Sequence, residues 1–565
     1  MKRRKRRNQH IIEFLISLAI IFLLNYIGSF FYYRFDLTKE KRYTLSSISK
    51  EVLHNLDDMV FIKVYLDGEL PAGFMRFRTA IREILDEFRW QSPGKILYEF
   101  IDPSEDPDPD IRRNIATGLY DLGLQPTNVQ VKQKDGSTTQ KIIFPGAVIS
   151  YAGIDIGVNL LKNNPGLNAE INLNNSIQAL EYEFISMIKN LDTDTIQKIA
   201  FIEGHGELDE LYTGDITKEL ANFYQVDRGA IGGRFGSLDS YSAIIIAKPL
   251  QKYYEDDKFV IDQYIMKGGK VLWLIDVVQV SLDSLLNGST FAFYVPLNLE
   301  DQLFRYGVRL NPNLVKDIQC HFIPVNRGLF GGQPDWQFAP WYYFPVIAPG
   351  KDHPVTKSLN MIKLEFASVI DSVGEDRSIT KTVLLATSPY TKVVQVPVQI
   401  SIAETESRPR ESEYNASFQP VAMLLEGRFE SNFRNRPIPS GVTGGSSEIL
   451  TESIDTKMIV VSDGDLIRND VISSPDGPII TPLGYDKYTS QTFGNKDFIL
   501  NAVNYLTDEA GLIKLRGREF RLRLLDRKKI QDEELKWRLI NMITPLLIII
   551  IMGMVINIYR RMLYG

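Results

Sequence analysis

Six polar residues stand where short apolar runs break off: Glu203, His205, Glu207, Lys248, Asp276 and Asp463. Polar groups at the carboxyl ends of buried strands are the usual raw material for a ligand crevice or a catalytic site in an α/β sheet. The richest stretch is Glu203-Gly204-His205-Gly206-Glu207-Leu208-Asp209. His205 with Glu207 and Asp209 could ligate a metal, but no second histidine is near, so no metal centre is expected. A hydrolase would need a nucleophile beside a base. The single cysteine, Cys320, has His321 next to it, and in extended chain the two side chains face opposite ways. No Gly-x-Ser-x-Gly elbow occurs, and each Gly-Lys pair lacks the rest of a phosphate-binding loop. The pattern favours a non-enzymatic rim with no cofactor, and a small-molecule or peptide crevice is the functional minority reading. If the Gly-His-Gly turn only shapes a sheet edge, His205→Ala should be nearly silent.

The elements that would position this rim are legible. Ile199–Ile202, Ala243–Ala247, Val271–Ile275 and Met458–Val461 are short and rich in β-branched residues, as expected of parallel strands buried on both faces. Asp256–Gly269 between the second and third has helical spacing and a Gly268-Gly269 stop, which makes a βαβ crossover. Leu173, Ile177, Leu180, Phe184, Ile188 and Leu191 form a helical stripe leading into the first strand.

The chain has 565 residues, a net charge of -6 and one cysteine, enough for two or three domains with no intrachain disulfide. Residues 1–10 are a basic tail, and 11–33 form an apolar run long enough to span a bilayer, ending in Phe30-Phe31-Tyr32-Tyr33. Asn25 lies deep in that run and calls for a partner helix. A second apolar run, 539–558, lies between a basic segment at 511–538 and a short tail at 559–565. Two spans would put both termini in the cytoplasm and the middle outside, although the basic segment before the second span opposes the positive-inside rule. That segment suits anionic lipid, and nothing suggests nucleic acid.

After a linker at 34–59, residues 60–160 read as a small βαβαββ domain and 161–510 as a larger α/β domain with insertions. The run Asp102–Asp110 reads as a solvated loop capping the next helix. Asn326–Pro354 is an aromatic loop with Trp336, Trp341 and Tyr343, which packs back onto the domain or offers partner contacts. Glu404–Glu413 and Asn432–Glu452 read as mobile polar loops.

Several motifs carry a family resemblance. They are Phe35-Asp36-Leu37-Thr38 with Lys41-Arg42-Tyr43-Thr44-Leu45-Ser46 after the first span, Gly204-His205-Gly206-Glu207, and Asp262-Gln263-Tyr264 before Gly268-Gly269-Lys270. Asp335-Trp336 with Pro340-Trp341, His353-Pro354 and Asn501-Ala502-Val503-Asn504 follow in order. The chain resembles the gliding-motility-associated ABC transporter auxiliary proteins of the GldG type. That resemblance implies an inner-membrane protein with its bulk in the periplasm. It would work beside a permease and an ATPase and near envelope motility or secretion proteins. The small domain is thioredoxin-like in element order but has no Cys-x-x-Cys. The large sheet resembles glutamine-amidotransferase-like, flavodoxin-like domains without their nucleophile. The alternatives are a membrane-bound amidotransferase-like or hydrolase enzyme, or a passive envelope scaffold.

Overall fold

The computed structural model describes residues 44–508 and 511 apart from 133–137, 163–167, 192–195, 286, 331–332, 351, 358, 375–377, 445–448, 476 and 490. It also describes the helix at 527–564 and nine positions between 12 and 26. Two units are separable, 1–518 and 519–565.

The first unit begins with helix α1 (Ser47–His54). Ser46 caps it by accepting from the Ser49 amide. Strand β1 (Val60–Val64), helix α2 (Ala72–Gln91), β2 (Ile96–Phe100), α3 (Pro109–Asp121), β3 (Thr127–Lys132), β4 (Thr138–Ile143), β5 (Gly146–Tyr151) and β6 (Ile154–Asn159) follow. The sheet order is β2-β1-β5-β6, and β3 and β4 form a separate hairpin. The β1–β2 pair is parallel and β5 is antiparallel to β1. Phe77, Ile81, Leu85 and Phe88 recur at helical spacing on α2 and are fully buried. They share a core with Val60 and Ile62 of β1 and with Phe184 and Ile188 of the next helix, α4 (Ala169–Leu191).

From α4 the chain enters β7 (Lys198–Glu203), then α5 (Gly214–Leu220), β8 (Gln225–Ala230), β9 (Ala243–Ala247), α6 (Glu255–Met266) and β10 (Val271–Leu274). A long excursion holds α7 (Glu300–Tyr306), β11 (Cys320–Phe330), β12 (Gln333–Ile347), β13 (Ile379–Ala386) and β14 (Pro420–Gly427). Strand β15 (Thr456–Val461) and helix α8 (Asn495–Thr507) complete the unit. The seven-stranded sheet runs β13-β14-β15-β10-β9-β7-β8. Its five strands from β15 to β8 are mutually parallel, and β14 and β13 add antiparallel to one side. Parallel strands of this composition need cover on both faces. Val260, Ile261 and Tyr264 of α6 pack with Ile244, Ile246 and Trp273 on one face. Ile216 and Leu220 of α5, with Phe498 and Ala502 of α8, pack with Phe201, Ile245 and Leu272 on the other.

Three expectations are corrected. The aromatic stretch after Asn326 is part of a long β11–β12 hairpin, with pairs running from Cys320↔Pro345 to Phe330↔Gln333, not a loop. The polar segment after Asn432 is not free chain either. Ser431 Oγ donates to Asp262 Oδ2 (2.6 Å) and the Asn432 amide to Asp262 Oδ1 (2.8 Å), which ties it across α6. Phe433 meets Phe259 edge-on at 5.3 Å, so the outer face of α6 is covered and every side chain from Asp257 to Met266 is buried. Likewise Glu404–Glu413 contains two short 3₁₀ turns, the first closed by a Ser401–Glu404 capping box.

The second unit contains the helix α9 (Arg527–Tyr564), which has Pro545 in its interior. Lys536–Tyr559 within it is long and apolar enough to cross a membrane, and among the described residues it is the one such helix. The expected first span, including Asn25, falls mostly outside the described residues, as does much of the basic segment before α9.

Candidate functional site

Five of the six rim residues fall into two buried charge clusters, and Glu203 lies outside both. The first forms where β7 ends. Gly204 (φ 115°) and Gly206 (φ 77°) occupy the left-handed half of backbone space, which turns the chain back sharply under the sheet edge. His205 between them is 2% exposed. Its Nε2 lies 3.1 Å from Asp257 Oδ2, and the Tyr253 ring stacks on it at 3.7 Å. On its other side Nδ1 approaches Glu207 Oε1 at 3.4 Å, too poorly aligned for a hydrogen bond, so this is a charge contact. Glu207 is held in turn by the His205 amide (2.6 Å) and by the Tyr253 hydroxyl (2.5 Å). Burial alone would push the His205 pKa down. The Asp257 hydrogen bond and the two carboxylate charges outweigh it and hold the pKa at about 9. The same contacts, against burial, keep Glu207 and Asp257 below their ordinary values.

This geometry makes a structural clamp. Its imidazolium joins the end of β7 to the first turn of α6 and faces no open space. The His205 carbonyl accepts from the Leu250 (3.0 Å) and Gln251 (2.8 Å) amides, which follow β9. Strand order reverses between β7 and β9, the place where open α/β sheets take ligands. Here the chain's own backbone fills it.

The clamp predicts a pH dependence with a definite sign. His205 has a raised folded pKa, so its contribution is complete below about 6.5 and lost as pH rises through about 9. Glu207, with its lowered pKa, contributes above its ordinary 4.5 and loses that contribution in acid. Thermal melting of the wild type relative to His205→Gln should show the advantage of histidine shrinking between pH 6.5 and 9. A difference that stays flat across that window would refute the charged clamp.

The second cluster lies at the ends of β9, β10 and β15. Lys248 sits at φ 54° and reaches Asp276 Oδ2 (3.1 Å) and the Asp465 carboxylate. Asp276 accepts from the Gly464 amide (2.6 Å). Asp463, fully buried, accepts from the Glu365 (2.7 Å) and Asp465 (2.8 Å) amides. Glu365 pairs with Lys363 (2.8 Å) and Arg468 (2.8 Å). Burial pushes Asp276 up to about 6 despite Lys248. Burial and the neighbouring Asp276 and Asp465 charges push Asp463 well up, against its two amide donors. Burial also opposes ionisation of Glu365, but Lys363 and Arg468 win and hold it at about 2. Lys248, Asp276, Asp465, Glu365, Lys363 and Arg468 answer one another's charges, whereas Asp463 is met by backbone amides.

Of the expected rim, Lys248, Asp276 and Asp463 come together, and so do His205 and Glu207. Glu203 stays apart in an ion pair with Arg228 (2.9 Å). Asp209 turns into its own loop and accepts from the Tyr212 amide (3.2 Å). Asp257, Tyr253, Glu365, Asp465 and Arg468 were not singled out in the sequence. Asp465 was within reach, two residues beyond Asp463, whereas nothing local marks Glu365. The Cys320 thiol is pushed up to about 12, chiefly by burial, and His321 faces Asp486 (3.7 Å). Among the described residues no three His, Cys, Asp or Glu side chains are arranged for a metal ion. Trp341 and Tyr343 are core residues at 1% and 2% exposure, which removes them as partner contacts, whereas Trp336 is 63% exposed.

The fold is a two-faced α/β unit in a chain that also carries a helix long and apolar enough to cross a membrane. The chain belongs to the family described as an ABC-type uncharacterized transport system, whose model matches residues 196–502, more than half its length. A model for a domain of unknown function (DUF7088) matches residues 39–150. The chain is similar to an uncharacterized protein of Borreliella burgdorferi, 22% identical over 467 residues, which are 79% of this chain and 84% of that one. Among solved structures, it is similar to the mmIFT52 N-terminal domain with a TM-score of 0.30 and 11% identity, over 55% of this chain and 97% of that one. It is also similar to the GH42 β-galactosidase Gan42B with a TM-score of 0.20 and 10% identity, over 59% and 32%. Scores of that size carry no argument about fold or function.

Proposed function

We propose that this chain is a membrane-anchored, non-enzymatic auxiliary subunit of an ABC-type transporter, working as a binding or coupling module beside a separate permease and ATPase. The family match supports the transport association. The observation that carries the non-enzymatic reading is the switch point between β7 and β9, filled by His205 and the Leu250–Gln251 backbone where a substrate would need to enter. The motif resemblance supports the finer assignment to the GldG type, with gliding motility and its secretion machinery as the setting. We further infer a two-span topology with both termini in the cytoplasm of the inner membrane, for which the apolar helix at 536–559 supports the second span. The division into parts at residues 60–160 and 161–510 is proposed on family matches that stop at 150 and resume at 196, with α4 of the second part packed into the core of the first. Sheet order β2-β1-β5-β6 supports a thioredoxin-like scaffold for the first part. The order of the five parallel strands supports a flavodoxin-like scaffold for the second.

The test is affinity purification of the full-length chain in detergent. A permease and an ATPase should co-purify in fixed ratio. Recovery of the chain without either would sink the subunit reading, and turnover of an amide or ester substrate by pure protein would sink the non-enzymatic one.

A further inference from the structure

A cavity of about 770 Å³ opens beside the carboxyl end of β10, where Ile275 and Val277 line it. Its floor is aliphatic: Ile275, Val277, Leu297, Leu299 and Leu303 are each 1–3% exposed. The volume falls within the range of small-molecule sites. The polar groups on its wall are unevenly committed. Asp301 already accepts from Lys258 Nζ (2.8 Å), Asn432 Nδ2 (3.0 Å) and Arg436 (3.0 Å). Glu300 accepts from the Tyr294 hydroxyl (2.7 Å) and the Leu297 amide (3.1 Å). Arg305 pairs with Glu430 at 3.3 Å. Arg309 forms no ion pair among the described residues, although Asp371 lies opposite it in the pairing of 308–310 with 370–372. Of the three guanidiniums on the wall, Arg305 is paired with Glu430 and Arg436 with Asp301, which leaves Arg309 as the one without an ion pair among the described residues.

We propose that this cavity binds a single-tailed amphiphilic anion, its apolar body on the aliphatic floor and its carboxylate or phosphate head against Arg309. A guanidinium forks onto either head group, and a satisfied acid offers a cation nothing. The inference rests on the cavity alone and stands or falls independently of the transporter reading.

Full-length protein in non-ionic maltoside micelles is irradiated with a diazirine-bearing twelve-carbon carboxylate, and the labelled peptides are mapped. Label should concentrate on the segment 297–310. Arg309→Glu sets a second acid opposite Asp371, so it is paired with Arg309→Gln, which adds no like charge there, and both should cut that label at least about tenfold, as loss of a charge-assisted contact implies. Leu303→Trp, which fills the floor, should do the same. Dodecanoate and dodecyl phosphate as competitors distinguish the two heads, the better competitor naming the class. Equal labelling by the trimethylammonium analogue, undiminished label in Arg309→Glu, or label confined to α9 as in simple micelle partitioning would each overturn the proposal.

Discussion

Replacing Lys248 with methionine should destabilise the large α/β unit by about 3–5 kcal/mol, the usual cost of removing one partner from a buried ion pair. Lys248 is 18% exposed in its side chain and faces Asp276 and Asp465, at 10% and 7%. Methionine keeps the aliphatic stem and removes the charge. Two carboxylates then remain in a poorly solvated site beside Asp463, which already resists ionisation. Water cannot enter readily from the rear, because the Lys248 stem lies against Gly464, where even a Cβ would come within 2.5 Å. Adding Asp276→Asn to Lys248→Met should recover part of the loss by removing one of the stranded charges, and a double-mutant cycle would measure how much. Thermal melting in detergent is the measurement. A Lys248→Met protein that melts with the wild type would mean the cluster is solvated and its charges are not coupled.

His205→Ala should cost a similar amount, about 3–5 kcal/mol, at neutral pH. A turn that only shaped the sheet edge would leave this change nearly silent, whereas the buried pairing of His205 predicts a large loss. Among the described residues the imidazolium is the one cationic partner of both Glu207 and Asp257. Its removal also leaves a hole beneath the Tyr253 ring. His205→Gln can still donate to Asp257 but brings no charge, so it should lose less than alanine does. If His205→Ala folds and melts normally but abolishes transport, the residue acts on a ligand, and the clamp reading fails.

The sheet was legible because its strands are buried on both faces. Ala243–Ala247 and Val271–Leu274 leave no exposed position to blur the pattern, and the glycines after α6 mark the crossover. The β11–β12 hairpin was not legible for the opposite reason. Pro324, Pro334, Pro340 and Pro345 lie within its strands, and proline argues against a strand unless pairing is on one side only. The charge clusters were half legible. Strand ends announce Lys248, Asp276 and Asp463, but the partner that settles their state is remote. Glu365 meets Asp463 across 98 positions and Arg468 across 103. No local pattern encodes such a meeting. Polar segments are also misread when composition stands in for contacts, since Ser431 and Asn432 look solvated until Asp262 is found beneath them.

The excursion between β10 and β15 also has a consequence in time. The Asp276–Gly464 contact that ties their ends together joins positions 188 apart. At ordinary rates of chain elongation that interval is on the order of 10–40 s, during which Val-Leu-Trp-Leu of β10 is an unsatisfied, strongly apolar edge. A nascent chain halted in the excursion exposes a surface primed for wrong pairing. Production of this protein should therefore be limited by escort of its half-built sheet, and truncations ending before residue 461 should aggregate where the full chain does not.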